Sequence, residues 1–248
     1  MDPAEYDKLD RLEDRMWWFA ATHANLMMLS RQFGPSAAPR RILDAGCGTG
    51  GLLAKLAAAD EAGMVVGLDA DESACARARA KSARPVCRGS VNALPFIDAA
   101  FSAIFSADVL CHRDVDERQA LQQFRRCLAP GGILVLNLPA YRWMLSHHDA
   151  AVYNIRRYTR RGAAQLLREA GFRVLYASYW NIVLFPLMVI ARKLLPSPGA
   201  ASDVRAYSAP MEALGRAATA LERFFLQAGW HFPFGGSLVA VAGKPAES

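Results

Sequence analysis

A chain of 248 residues holds one large domain or two small ones, and with 53% hydrophobic residues it can bury a full core. Net charge is +6, but the arginines are scattered; the expected outcome is a solvated basic surface and no nucleic-acid partner. Cys47, Cys75, Cys87, Cys111 and Cys127 are odd in number, widely spaced and without a Cys-x-x-Cys pair, which predicts reduced thiols, no disulfide framework and no metal.

Residues 2 to 33 read as one or two helices, with Leu26, Leu29 and Phe33 at helical spacing and Trp17, Trp18 and Phe19 ahead of them. Their N-terminal part is acidic and lacks a signal-peptide core, so a cytoplasmic location is expected. Residues 34 to 39 are a break rich in proline and small residues. Ile42 to Ala45 is then a short apolar strand carrying Asp44, followed by the glycine turn Gly46-Cys47-Gly48-Thr49-Gly50-Gly51 and a leucine-rich helix. Strand, glycine turn and helix N-terminus in this order form a nucleotide site, because glycine lets the backbone approach a ligand and the helix end offers unpaired N–H groups. Gly46, Gly48 and Gly51 also fit the dinucleotide pattern Gly-x-Gly-x-x-Gly. Asp44 argues against a pyrophosphate, since like charges repel, and suits a cation.

Strand and helix patterns alternate from there, which predicts a mostly parallel sheet covered on both faces. Val65 to Asp69 is a strand ending in an acid. The following helix opens with Asp71 and Glu72 and closes with Arg79 and Lys81, as its dipole favours. Leu121, Phe124 and Leu128 mark the core face of a further helix. The segment from 139 to 158 is irregular, aromatic and charged. It leaves the fifth strand at its carboxyl end, where open α/β sheets bind ligands. Thr159 to Ala170 is a helix with Thr159 as N-cap and Gly171 as stop. Residues 172 to 179 are a strand, 181 to 195 an apolar helix or loop, 196 to 209 a linker, 211 to 227 a helix, and 237 to 243 a last strand. The longest apolar run, 182 to 191, is too short to span a bilayer and contains Pro186.

Five segments in register resemble the class I S-adenosylmethionine-dependent methyltransferases: 42–51, 65–69, 88–96, 101–110 and 128–136. The resemblance covers roughly residues 37 to 245. It is closest to bacterial, type 11-like members with an aromatic N-terminal helix and an Arg-Arg-Tyr segment after the fifth strand. It implies a Rossmann-like doubly wound, mostly parallel seven-stranded sheet with helices on both faces and an N-terminal helical cap. Residues 1–36 would be the cap or lid. Residues 37–248 would be the methyltransferase domain, with a substrate-side insertion at about 139–158 and the apolar segment 181–195.

The implied cofactor is S-adenosyl-L-methionine, whose ammonium or sulfonium suits Asp44. Gly46, Cys47, Gly48 and Gly50 would form its loop. Asp69, beside Ala70, would accept the ribose hydroxyls; the alternative is a helix-capping role. Ser90 stands where the family more often has an acid. Its hydroxyl and the Val91 backbone can bond adenine, or Ser90 simply begins a turn. Ser102 stands where a family Asp is usual and caps structure. Ser106 to Asp108 follow the fourth strand, where the methyl would point. Trp18, with Trp17 and Phe19, can close over a sulfonium or pack in the core.

His112 is a candidate base with a pKa near neutrality, or a loop histidine outside the chemistry. His148 is a second candidate, with Asp149 as its orienting group. Tyr141, Trp143, His147, Asp149, Arg156, Arg157 and Tyr158 form the candidate acceptor region, the arginines clamping a phosphate or carboxylate. A solvated basic loop is the alternative.

The expected reaction is methyl transfer to oxygen, nitrogen or carbon of a small-molecule acceptor. An apolar, lipid-linked acceptor and a peripheral contact with the inner membrane face fit Ile182 to Ala191 followed by Arg192-Lys193, which otherwise is an ordinary buried helix. The rival functions are an NAD(P)-dependent oxidoreductase and a non-catalytic cofactor-binding scaffold.

Overall fold

The computed structural model describes residues 3–35, 40–193 and 204–246. The N-terminal segment forms two helices, α1 (Pro3–Leu12) and α2 (Trp17–Phe33). The first strand and its helix follow as β1 (Arg41–Ala45) and α3 (Gly51–Ala59). Next come β2 (Met64–Asp69), α4 (Glu72–Ser82), β3 (Val86–Arg88), β4 (Phe101–Ala107), α5 (Glu117–Cys127) and β5 (Leu128–Pro139). The irregular segment holds a 3-10 turn at Arg142–Met144 and the short helix α6 (His147–Ala151). The chain then forms α7 (Arg160–Glu169), β6 (Arg173–Trp180), α8 (Phe185–Lys193), α9 (Ala209–Gln227) and β7 (Ser237–Gly243). Most of the expected break at 34–39, and of the linker at 196–209, lies outside the described residues.

The seven strands form one sheet in the order β3-β2-β1-β4-β5-β7-β6. The first five run parallel to one another, and β7 runs antiparallel between β5 and β6. The central strands are buried almost throughout, as expected where helices cover both faces. All five cysteines are free thiols, four of them buried.

Local signals account for most boundaries. Asp71 caps α4 by accepting the Ala74 N–H, and Thr159 caps α7 by accepting from Gly162. Gly171 takes the left-handed backbone that ends α7. Leu128 departs from the expected helical face. It is the first residue of β5, opposite Phe101, because Pro130 is incompatible with continuing α5.

The aromatic start of α2 is seated on α9. Glu212 accepts the Trp17 N–H at 2.7 Å, and the Trp17 ring covers Gly215. Farther along α9, the buried Glu222 carboxylate accepts the N–H groups of Asn181, Ile182 and Val183, tying α9 to the exit of β6.

Glycine inside a helix normally costs about 1 kcal/mol against alanine. Here a Cβ at Gly215 would come within 2.4 Å of Trp17 Cγ. Gly215→Ala should therefore destabilise the protein by roughly 1–3 kcal/mol in urea unfolding. A variant as stable as wild type, or more so, would show that Trp17 does not seat on α9.

Candidate functional site

The glycine turn is built by close backbone approach. Gly46, Gly48 and Gly50 all have positive φ, a conformation available to glycine at little cost. The Gly46 and Cys47 N–H groups both donate to the Leu68 carbonyl of β2, at 2.7 and 2.9 Å. A side chain at Gly46 would strike Val109 beyond β4. Asp69 accepts the Gly48 N–H at 2.9 Å on one oxygen and the Asp71 N–H at 3.0 Å on the other. It thus ties the turn to the end of β2.

This turn lies in the wall of a cavity of about 700 Å³. Asp44, Gly46, Cys47, Gly48, Asp69, Ala70, Ser90, Val91 and Trp18 all line it. Asp44 is buried, and although Leu53 donates a backbone bond to its carboxylate, Oδ2 has no partner. Burial, with Asp69 and Glu13 nearby, raises its pKa to about 8. A buried carboxylate oxygen without a donor is a site prepared for a cation. Ser90 does two things at once: it borders the cavity, and its hydroxyl and carbonyl accept from Asn92 and Ala93 to begin a turn.

Two residues expected at the cofactor lie elsewhere. Gly50 is not in the cavity wall; its Cβ would come within 2.7 Å of Ala78 Cα, so its glycine serves the packing of α3 on α4. Ser106 is buried inside β4 and does not reach the cavity, because it lies within the sheet, beside Leu136 of β5. Ser102, at the position of the usual family Asp, exchanges hydrogen bonds with the Arg41 backbone and joins β4 to β1.

The acceptor region needs more correction. Arg156 donates to the carbonyls of Leu110, His112 and Val115, at 2.7–3.0 Å, and so holds the loop between β4 and α5. Arg157 reaches the cavity wall, but Asp149 accepts two hydrogen bonds from its guanidinium in a fully buried pair, and Ala140 O accepts a third. Neither arginine is left to clamp an anion, because the irregular segment has no ladder of its own and uses them to satisfy carbonyls. Tyr158 lies within 2.7 Å of Glu117 and 2.9 Å of the Leu110 carbonyl, away from the cavity. Tyr141 stacks on Trp143 and Tyr179 outside the wall, both Tyr141 and Trp143 meet Phe185 at an angle, and His147 is outside the wall as well.

His112 and His148 do border the cavity. The Asp114 N–H donates to His112 Nδ1 at 3.3 Å, and burial lowers the His112 pKa. The pair expected between His148 and Asp149 gives way to the Asp149–Arg157 pair.

Several lining residues carried no local signal. Glu13, between α1 and α2, accepts from Thr49 Oγ1 at 2.6 Å and from the Gly51 N–H at 3.2 Å, and pairs with Lys81. It caps α3 from another part of the chain. His23 of α2 contacts Lys55 of α3. Asp108 stands at the exit of β4 with φ 54. Asn137 donates to its Oδ2 at 2.9 Å, Oδ1 is sealed without a partner, and burial raises its pKa to about 7. Unlike Glu13 and His23, Asp108 is expected from the sequence, as one of the residues after the fourth strand where the methyl would point.

The methyltransferase-domain family model matches residues 43–136. A probable S-adenosylmethionine-dependent methyltransferase of Mycolicibacterium smegmatis is 30% identical over 66% of this chain and 62% of its own length. An O-methyltransferase of Penicillium expansum is 31% identical over 59% of this chain and 58% of its own. The chain thus spans about three-fifths of these relatives. The solved complex between the Haloferax volcanii Trm112 methyltransferase activator and its putative methyltransferase contains a chain with the same fold: TM-score 0.61, 21% identity, 97% of this chain and 98% of that one. Four of the family's five segments border one cavity and the domain match spans the glycine turn and β4, so over residues 43–136 the chain is similar to the methyltransferase domain of the class I S-adenosylmethionine-dependent family, whose cofactor is S-adenosyl-L-methionine.

Proposed function

We propose that the protein transfers the methyl group of S-adenosylmethionine to an oxygen, nitrogen or carbon nucleophile of a small acceptor with a large apolar part. The supporting observation is the cavity itself. It joins the unpaired Asp44 oxygen, the glycine turn and Asp69 to an apolar wall that includes Leu187, Met188 and Ala191 of α8. No comparison supports the oxidoreductase or scaffold alternatives.

In this reading the Gly46–Gly48 backbone, with Cys47, and Asp69, with Ala70, hold the nucleoside. Ser90 and Val91 meet the adenine, and Asp44 faces the cationic end. The cofactor supplies a methyl group already activated on a sulfonium, so the protein mainly aligns the acceptor and excludes water. Trp17, Trp18 and Phe19 form an aromatic wall beside that path. Residues 1–36 act as a cap on the domain formed by 37–248. Of the groups at the β4 exit, Asp108 is the one titrating near neutrality, and His112 and His148 stand beside the acceptor space. Arg192 and Arg205 also border the wall, on the acceptor side, where Arg156 and Arg157 are committed to the protein's own groups. No helix among the described residues is long and apolar enough to cross a membrane. We place the protein in the cytoplasm, meeting its acceptor at the inner membrane face through α8 and the turn before it, where Leu187 and Ile190 of α8 and Val183 ahead of it are exposed on the segment that ends in Arg192 and Lys193.

Incubation with labelled S-adenosylmethionine and host extract tests the activity. A labelled small, apolar product is expected; an extract with no labelled product at all would overturn the reading. Vesicles test the membrane part. The protein should co-sediment with anionic vesicles, and Arg192→Glu with Lys193→Glu should release it. Absence of wild-type binding, with methylation of only small polar acceptors, would remove this element.

The Asp44 reading has a pH signature. In the free protein its carboxyl titrates at about 8, and a bound cation favours the ionised form. Below about 8, binding must expel a proton, so affinity for S-adenosylmethionine should rise with pH and level off above it. Calorimetry in buffers of different ionisation heat counts the proton. Asp44→Asn should release fewer, and unchanged release would reassign the effect to another group.

A further inference from the structure

We infer that His23, held in one tautomer by Lys55, is the residue that binds the carboxylate of the cofactor's amino-acid end. The inference rests on the proposed S-adenosylmethionine site and adds to it the anion-binding corner.

His23 lies on α2, is 5% exposed, and lines the cavity. Its Nδ1 is 2.9 Å from Lys55 Nζ. An ammonium has only protons to offer, so Nδ1 is the acceptor in this contact. A neutral imidazole that accepts at Nδ1 carries its proton on Nε2. Burial, with Lys55 and Lys81 close by, keeps the ring neutral down to about 3. The tautomer is therefore set by the neighbour, and Nε2–H remains as a donor. Among the described residues that nitrogen has no hydrogen-bond partner and is not one of the sealed, unpaired atoms, so it keeps contact with the cavity. Phe19 flanks the ring at 6.4 Å.

The position suits an amino-acid carboxylate. Lys55 lies one turn into α3, the helix that starts at the glycine turn. The wall near the turn is otherwise acidic, with Asp44, Asp69 and Glu13. Of the arginines in the wall, Arg157 is already held by Asp149. Arg192 and Arg205 belong to α8 and the segment before α9, so a zwitterion with its cation toward Asp44 can place its carboxylate on the α2–α3 side. There the Nε2–H donor is polarised by the Lys55 ammonium behind it. A lysine reaching the carboxylate directly would pay more desolvation than an imidazole relaying its field.

The probe is decarboxylated S-adenosylmethionine, which lacks only the carboxylate. Calorimetry should show wild type binding S-adenosylmethionine at least about tenfold more tightly than this probe, the size of one hydrogen bond to a charged group. His23→Leu should remove most of that difference and leave affinity for the decarboxylated probe unchanged, which also shows that the variant is folded. His23→Gln, which can place an N–H where Nε2 stands, should restore part of the difference. Lys55→Met should reduce it, since it frees the tautomer and removes the field. Equal binding of the two compounds by wild type, or undiminished discrimination in His23→Leu, would overturn the inference while leaving the cofactor assignment intact. Failure of wild type to bind either compound would overturn both.

Discussion

The structure turns on how closely the glycine turn at the end of β1 packs against its neighbours. Gly46 lies against Val109, and Gly50 lies against Ala78; each space is too small for a Cβ. Both glycines also have positive φ, so a side chain there is disfavoured by conformation and by contact. The same turn is held from β2 by the Leu68 carbonyl and the Asp69 carboxylate. Three strands and two helices thus meet at one glycine turn. The cavity exists because its floor is backbone.

The N-terminal helices complete that floor electrostatically. Acidic residues near the start of the chain meet basic residues of α4: Asp7 and Asp10 pair with Arg77, and Asp10, Glu13 and Asp14 with Lys81. Most of these pairs are partly exposed and individually weak. Glu13 differs, because it is buried and also satisfies the first N–H of α3 and the Thr49 hydroxyl. Tyr6 of α1 directs its hydroxyl toward Asp69. Helix α1 and the α1–α2 junction are therefore bonded to residues that line the cavity or begin α3.

The other end of the cavity is built on different physics. Trp180 donates to Asn137, Asn137 donates to Asp108, and Trp18 stacks on Trp180. This chain of contacts crosses β6, β5 and the exit of β4, and leaves one Asp108 oxygen without a donor. A sealed, unpaired carboxylate oxygen is costly unless protonated or completed by a ligand. Asp44 and Asp108 share that condition at two places on the same wall. Both carboxyls are pushed toward neutrality by burial, for the same reason that makes either ready to respond to a bound charge.

What the sequence by itself determined is the local part. The alternation of strand and helix, the glycine turn, the acids ending β1 and β2, and the caps at Thr159 and Gly171 all act over a few residues. Backbone geometry links each to its residue type, so they could be read in order along the chain. The tertiary structure decided which polar side chains face the cavity. Arg156, Arg157 and Tyr158 have the composition of an anion site, yet the irregular segment they belong to needed them for its own carbonyls and for Asp149 and Glu117. Glu13 and His23 had the composition of an ordinary helix surface, and became part of the wall only when α3 came alongside, with Thr49 and Lys55 more than thirty residues away in sequence. The insertion of β7 between β5 and β6 was equally invisible to local pattern. A side chain's partner is set by which element packs against it, and that is a property of the whole fold.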